Sequence, residues 1–260
     1  MRPQSFYRIM GVLILVLAAC PPVRADLVAQ WTFTRNANDV SGHGNDGTVY
    51  GATLTNDRFG NPNSAYHFDG VNDYIDCGNG SSTLFDSTDS FTLAAWMKYS
   101  GLPTFGAIAA RHDDRRPTFN YAMGVAHDTF VSVADQAHIG SYWLLSNAEL
   151  VEDVWYHVAY VYDSTSMTLY VNGQEQGSAS FGYSGVGDSI AKFLVGNTGH
   201  WPGYPDNRYF NGVIDDLAVY NRALTDSEIR DLSVVPVPGA ALLGALGLSF
   251  ADWRLRRTTS

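Results

Sequence analysis

The chain has 260 residues, 26 acidic against 16 basic, and a formal net charge of −10. That length suits one large all-β domain or two average ones, and the acidic balance excludes nucleic acid as a partner, because phosphate binding needs a basic footprint. Of the acidic residues 22 are Asp and only four, Glu149, Glu152, Glu175 and Glu228, are Glu; this excess of the turn-favouring carboxylate suits loops and metal sites better than exposed helices.

At the N-terminus Arg2 and Arg8 precede the apolar run 9–19, and Val23-Arg24-Ala25 offers a small-residue cleavage site before Asp26. Residues 1–25 therefore read as a secretory signal peptide. Leu17-Ala18-Ala19-Cys20 fits the alternative of a lipid-modified cysteine at Cys20. Cleavage after Ala25 leaves Cys77 alone, without an internal disulfide partner.

The stretch 27–33, Leu-Val-Ala-Gln-Trp-Thr-Phe, alternates as a half-buried strand. Asp39 to Gly47 follows, rich in oxygen donors (Asp39, Ser41, Asn45, Asp46) and in glycines that permit tight turns. It reads either as a cation-wrapping loop or as a polar connection built by Asx and Gly turn chemistry. Next come short strands at 48–50 and at 65–76, the latter expected as two strands joined at the Asp69-Gly70 turn. The apolar run 90–99 is expected as a central strand. From 101 to 147 the pattern weakens to brief candidates at 107–110, 119–125, 130–134 and 142–145, with Arg111 to Arg116 read as a solvated loop.

Periodicity sharpens at 154–163 and 167–173, where Val158, Tyr160 and Tyr162 share one face and Met167, Leu169 and Val171 another, predicting a hairpin with Asn172-Gly173 at its far end. Strands are expected at 190–195 and 210–220. Thr225 and Glu228 have capping-box spacing, which predicts one short helix to residue 232. About a dozen strands with this single helix argue for a two-sheet antiparallel sandwich. Beyond it, Val235-Pro236-Val237-Pro238 introduces the apolar run 240–251 and the basic end Arg254, Arg256 and Arg257. The run is short for a membrane helix, and its basic end is expected to stay cytoplasmic.

Trp31-Thr-Phe, Ser41-Gly-His-Gly-Asn-Asp-Gly-Thr, Tyr66-His-Phe-Asp-Gly-Val-Asn-Asp-Tyr-Ile, Phe91-Thr-Leu-Ala-Ala-Trp, Trp155-Tyr-His-Val-Ala-Tyr-Val-Tyr-Asp, Leu169-Tyr-Val-Asn-Gly and the stretch Phe210 to Thr225 stand in one order along the chain. Together they resemble bacterial LamG-like domains of the concanavalin A-like lectin/glucanase superfamily, over nearly all of residues 26–232. The resemblance implies an all-β jelly-roll sandwich that binds carbohydrate or protein and, in some relatives, a calcium ion, here on Asp39, Asn45 and Asp216. The chain departs from the pattern at Asp215-Asp216, where Asp-Glu is commoner, and throughout 101–147. Residues 233–260 look like a PEP-CTERM sorting segment, with both prolines kept and Val237 between them in place of the family's Glu; this implies processing by an exosortase-type enzyme and a bacterial cell-surface, outer-envelope or matrix location.

Catalysis is not expected. Glucanases on this fold place their carboxylates in a Glu-x-Asp-x-x-Glu pattern, which the chain lacks, and His157 reads as a packed histidine within a strand. Sugars stack on exposed aromatics, so Trp201 and Tyr204, in the loop His-Trp-Pro-Gly-Tyr, are the expected ligand-binding residues. The functional expectation is an exported, non-catalytic carbohydrate-binding module, the alternative a structural or protein-interaction module.

Overall fold

A computed structural model of the chain describes residues 27–79, 90–101, 105–112, 119–127, 129–136, 140–180, 192–199 and 208–234. The apolar segments expected as helices at the two ends, residues 1–25 and 240–251, lie outside these; among the described residues no helix is long and apolar enough to cross a membrane.

Fifteen strands and one helix are described: β1 (Leu27–Trp31), β2 (Thr48–Tyr50), β3 (Thr53–Thr55), β4 (Ala65–Asp69), β5 (Tyr74–Asn79), β6 (Phe91–Tyr99), β7 (Gly106–His112), β8 (Phe119–Ala126), β9 (Thr129–Gln136), β10 (Gly140–Glu149), β11 (Tyr156–Tyr162), β12 (Ser166–Val171), β13 (Gln174–Ser180), β14 (Lys192–Val195), β15 (Asn211–Tyr220) and α1 (Asp226–Ser233). They form two antiparallel sheets. Sheet A runs β13-β12-β11-β6-β15-β4-β3, with β1 also paired to β15; sheet B runs β10-β9-β8-β7-β14-β5-β2. This is the expected sandwich, with β6 central between β11 and β15.

The inner faces meet in one apolar core. Val158, Tyr160 and Tyr162 of β11 and Met167, Leu169 and Val171 of β12 all point into it, as their period-2 spacing requires. The outer face of β11 and Tyr170 of β12 are buried as well, because α1 and the turn before it cover that side of sheet A: Ile229 and Leu224 pack on Ala94, Ala159, Val161 and Tyr170. The capping box forms, with Glu228 N–H donating to Thr225 Oγ1 at 3.4 Å and Thr225 N–H to Glu228 Oε2 at 2.9 Å, satisfying two otherwise orphaned donors at the helix start.

The structure revises the sequence reading in three places. The two strands expected to join at Asp69-Gly70 do not pair: β4 belongs to sheet A and β5 to sheet B. The turn is a corner between the sheets, tied by Asp69 Oδ1 accepting from the Val71 and Asn72 N–H groups and by Asp69 N–H donating to Asp73. Second, Asn172 and Gly173, at φ +49° and +73°, open a further hairpin onto β13, whose mixed polar sequence hid it. A side chain at Gly173 would also strike Ser233 and Arg230 of α1. Third, Arg111, expected in a solvated loop, is buried within β7, opposite Phe193 in the ladder. The strand runs on to His112 because β14 pairs with it to that point.

Candidate functional site

The glycine loop between β1 and β2 is held by Asp39. Its Oδ1 accepts the N–H groups of Gln30 (3.0 Å) and Ser41 (2.8 Å); its Oδ2 accepts the backbone N–H of Asn45 (2.9 Å) and that residue's side-chain Nδ2 (3.0 Å). Burial works against the charge, but these donors outweigh it and hold the carboxyl below its ordinary range. All four acceptor positions of the carboxylate are thereby filled. Asn45 meanwhile donates to Val28 O and accepts from Trp31 Nε1 on its backbone carbonyl.

Asp216 sits at a bulge in β15. One edge of β15 is shared, by β4 over residues 211–214 and by β1 over 217–220, and the changeover at Asp215-Asp216 throws Asp216 to φ +45°. Arg58, from the loop between β3 and β4, bridges both carboxylates, at 2.5 Å to Asp215 and 2.7 Å to Asp216. Its guanidinium lies over the rings of Phe59 (4.3 Å) and Trp96 (4.7 Å). Asp39 and Asn45 thus meet within the glycine loop, while Asp216 is paired with Arg58, so each of the three is engaged in building a loop or a clamp. Among the described residues no three His, Cys, Asp or Glu side chains gather to hold a metal.

Trp96, next to Asp215 in the ladder, is followed on its other side by His157. Asp215 and His157 are each only 2% exposed. Burial, then the Asp216 charge, pushes the Asp215 carboxyl up to about 7 despite Arg58, while burial and then Arg58 lower His157 to about 4. The stability from His157 is present above 6.5 and lost as pH falls through about 4; that from Asp215 is present below 3.8 and lost as pH rises through about 7. Between these limits folded and unfolded states each bind one proton, so the two slopes cancel. Urea melts are expected to be flat from about pH 4.5 to 6 for this cluster, whereas His157→Phe should gain stability on acidification from pH 7.5 to 5. A loss over that range would contradict the assignment.

On the outer face of sheet B, β2, β5 and β14 frame a cleft of about 220 Å³ lined by Tyr74, Asp76, Lys192, Leu194, Asn197, Gly199 and Tyr209. The period of two explains it: Ile75, Val195 and Phe193 face the core, so Tyr74, Asp76, Lys192 and Leu194 face out. Tyr50, 45% exposed, stacks behind Tyr74 with ring centroids 4.6 Å apart and planes 12° from parallel. Lys192 pairs with Asp76 at 2.5 Å, which raises the lysine's pKa and leaves the cleft near neutral. Asn197 Oδ1 accepts from Gly199 N–H at 3.1 Å, and its amide nitrogen has no partner among the described residues. Gly196, at φ +81°, carries the chain over the Phe68 ring, where a Cβ would sit 2.4 Å from that ring.

A sequence profile of the Laminin_G_3 family, described as the Concanavalin A-like lectin/glucanases superfamily, matches residues 69–230. The chain belongs to this family. Strands β1 to β3 of this Laminin_G_3 protein precede the matched stretch yet complete its two sheets. No curated protein matches the sequence. Among solved structures, domain 4 of AbnA, a GH43 extracellular arabinanase from Geobacillus stearothermophilus in complex with arabinotriose, superposes with a TM-score of 0.59 at 22% identity, covering 81% of this chain and 99% of that one. The binding domain of botulinum neurotoxin DC in complex with SialylT gives 0.62 at 13% identity, over 80% and 51%; the same domain in complex with rat synaptotagmin II gives 0.61 at 15%, over 80% and 51%. This chain thus spans about half the length of the toxin domains, and identities this low show a shared fold.

Of the sequence-predicted site residues, Trp201 and Tyr204 lie outside the described residues. The cleft residues were not singled out in the sequence. A usable signal was there: Tyr50 and Tyr74 each stand beside an inward aliphatic residue, Val49 and Ile75, and an aromatic residue on the outward phase of a strand is a ligand-contact candidate.

Proposed function

We propose that this Laminin_G_3 protein is a non-catalytic binding domain that recognises neutral carbohydrate in the cleft on sheet B. The observation that carries the reading is the cleft's chemistry. Tyr74 presents an aromatic wall stiffened by Tyr50, above the apolar Leu194, while the hydroxyls of Tyr74 and Tyr209, the Asn197 amide and two spare ammonium hydrogens of Lys192 have no partners among the described residues. An apolar wall with a few convergent hydrogen-bonding groups suits the alternating C–H and O–H surface of a sugar. Among the described residues Asp76 is the cleft's one carboxylate and is tied to Lys192, which is not the carboxylate pair of a glycosidase. His157 and Asp215 are sealed behind Arg58 and cannot reach a substrate. The superfamily and the arabinotriose complex of a related fold support the same reading.

A glycan array probed with the full chain is expected to show selective binding. Tyr74→Ala should weaken it about tenfold or more, near 1.4 kcal/mol, with an unchanged melting transition. Unaltered binding in that variant would remove the cleft from the reading. A protein-binding alternative is favoured by the edge strand β10, where Trp143 and Leu145 are 44% and 55% exposed; a blank array with a folded sample would select it.

The same reading takes the protein to be exported and held at a bacterial surface or matrix after removal of residues 1–25 and exosortase-type processing near 236–239. Intact mass of the mature protein is expected to show Asp26 as the first residue, and retention of Arg254 to Ser260 would count against the processing.

A further inference from the structure

We infer that the sheet B cleft is a blind, one-ring subsite that reads the terminal residue of a glycan rather than an internal stretch of chain; this rests on the carbohydrate reading above. Three boundaries close it. Along the strands, the Lys192–Asp76 ion pair bridges β14 and β5 at one end. Toward β2, the Tyr74 ring is backed by Tyr50. Toward β7, the residue opposite Leu194 in the ladder is Ala110, fully buried in a cluster with Phe105, Ala107 and Ala122, so the outer face of the sheet offers no continuation there.

Size agrees with closure. The cleft's volume of about 220 Å³ is below the roughly 300–1,000 Å³ typical of pockets that enclose drug-sized ligands. A recess of that class has the scale of one sugar ring with its hydroxyls rather than of an extended oligomer. A linear chain crossing the sheet would need either the Lys192–Asp76 bridge broken or the Tyr74–Tyr50 stack moved. A terminal residue needs neither: it enters from the open side, lays one face on Tyr74 and meets the Asn197 amide and Tyr209 hydroxyl with the hydroxyls an internal residue would spend on its next linkage.

The test is calorimetric titration of the full chain with matched sugars: glucose, linear maltohexaose and ring-closed cyclomaltohexaose, and in parallel arabinose with arabinotriose and galactose with galactotetraose. For the series that binds, monosaccharide and linear oligomer are expected to agree within about threefold per mole of chain. If the glucose series is the one recognised, the ring-closed hexamer, which has no terminus, should bind at least tenfold more weakly. Lys192→Ala, which removes the end wall, should let the linear oligomer gain over the monosaccharide. Affinity that climbs about tenfold with added units in the unaltered protein, or a ring-closed hexamer that binds as well as the linear one, would overturn the blind subsite while leaving the carbohydrate reading intact. Absence of binding by every sugar, with a folded sample, would overturn both.

Discussion

Arg58→Ala is expected to destabilise the fold by about 3–5 kcal/mol, because it leaves Asp215 as an unpaired carboxylate in a buried position. Asp215 is 2% exposed, and Arg58 supplies its ion pair as well as a cation over the Trp96 ring. The removed side chain also anchors the β3–β4 loop, whose own hydrogen bonds converge on Asp57, accepting from the Phe59 and Asn61 N–H groups at 2.8 Å. For a domain of this size the loss corresponds to a melting shift on the order of 10 °C. The defect should be larger at pH 8 than at pH 5.5, since acid lets Asp215 protonate and relieves the uncompensated charge. Combining Arg58→Met with Asp215→Leu should recover most of the stability, as replacing both members of a buried pair by apolar groups removes the desolvation cost. A single-variant loss below about 1 kcal/mol would show that the clamp is no stronger than a surface ion pair.

Trp31→Ala is expected to cost about 3–5 kcal/mol from its cavity alone. Trp31 is fully buried on β1 and stacks on Phe193 of β14, with centroids 5.5 Å apart and planes 9° from parallel, so one ring joins sheet A to sheet B. Its Nε1–H also donates to Asn45 O at 2.9 Å, tying the glycine loop to the core. Trp31→Phe separates the two roles. It keeps an aromatic ring against Phe193 and leaves the Asn45 carbonyl short of a donor, for an added cost near 1 kcal/mol. Chemical denaturation of the two variants reads both quantities. Equal losses would mean that the hydrogen bond rather than the stack carries the contribution, while a Trp31→Ala loss under about 1.5 kcal/mol would show that the site collapses around the missing ring.

Both predictions concern groups that differ in how far the sequence exposed them. Trp31 sits in an alternating run whose period points it inward, and its burial follows from that period. Arg58 sits in the polar stretch Asn-Asp-Arg-Phe-Gly-Asn, which reads as a loop and is one. Nothing local says that its charge crosses to residues more than 150 positions later. The bulge that presents Asp215 and Asp216 to it exists because β15 changes neighbours from β4 to β1 partway along, a fact of sheet assembly.

By itself, then, the sequence determined the elements whose reasons are local: strands over residues 27–33, 90–99, 154–163 and 167–173, the capping box at Thr225, the two-sheet class, and a polar, glycine-rich loop at 39–47. Only the tertiary structure decided which strands meet. It split residues 65–76 between two sheets because the Asp69-Gly70 turn closes a corner rather than a hairpin. It filled the Asp39 carboxylate with N–H donors instead of presenting it outward, and it assembled the candidate cleft from β2, β5, β14 and the approach to β15. The physical reason is range: propensity, capping and period act over a few residues, whereas ion pairs, ring stacks and clefts depend on ladder register between strands more than a hundred residues apart, which no short stretch encodes.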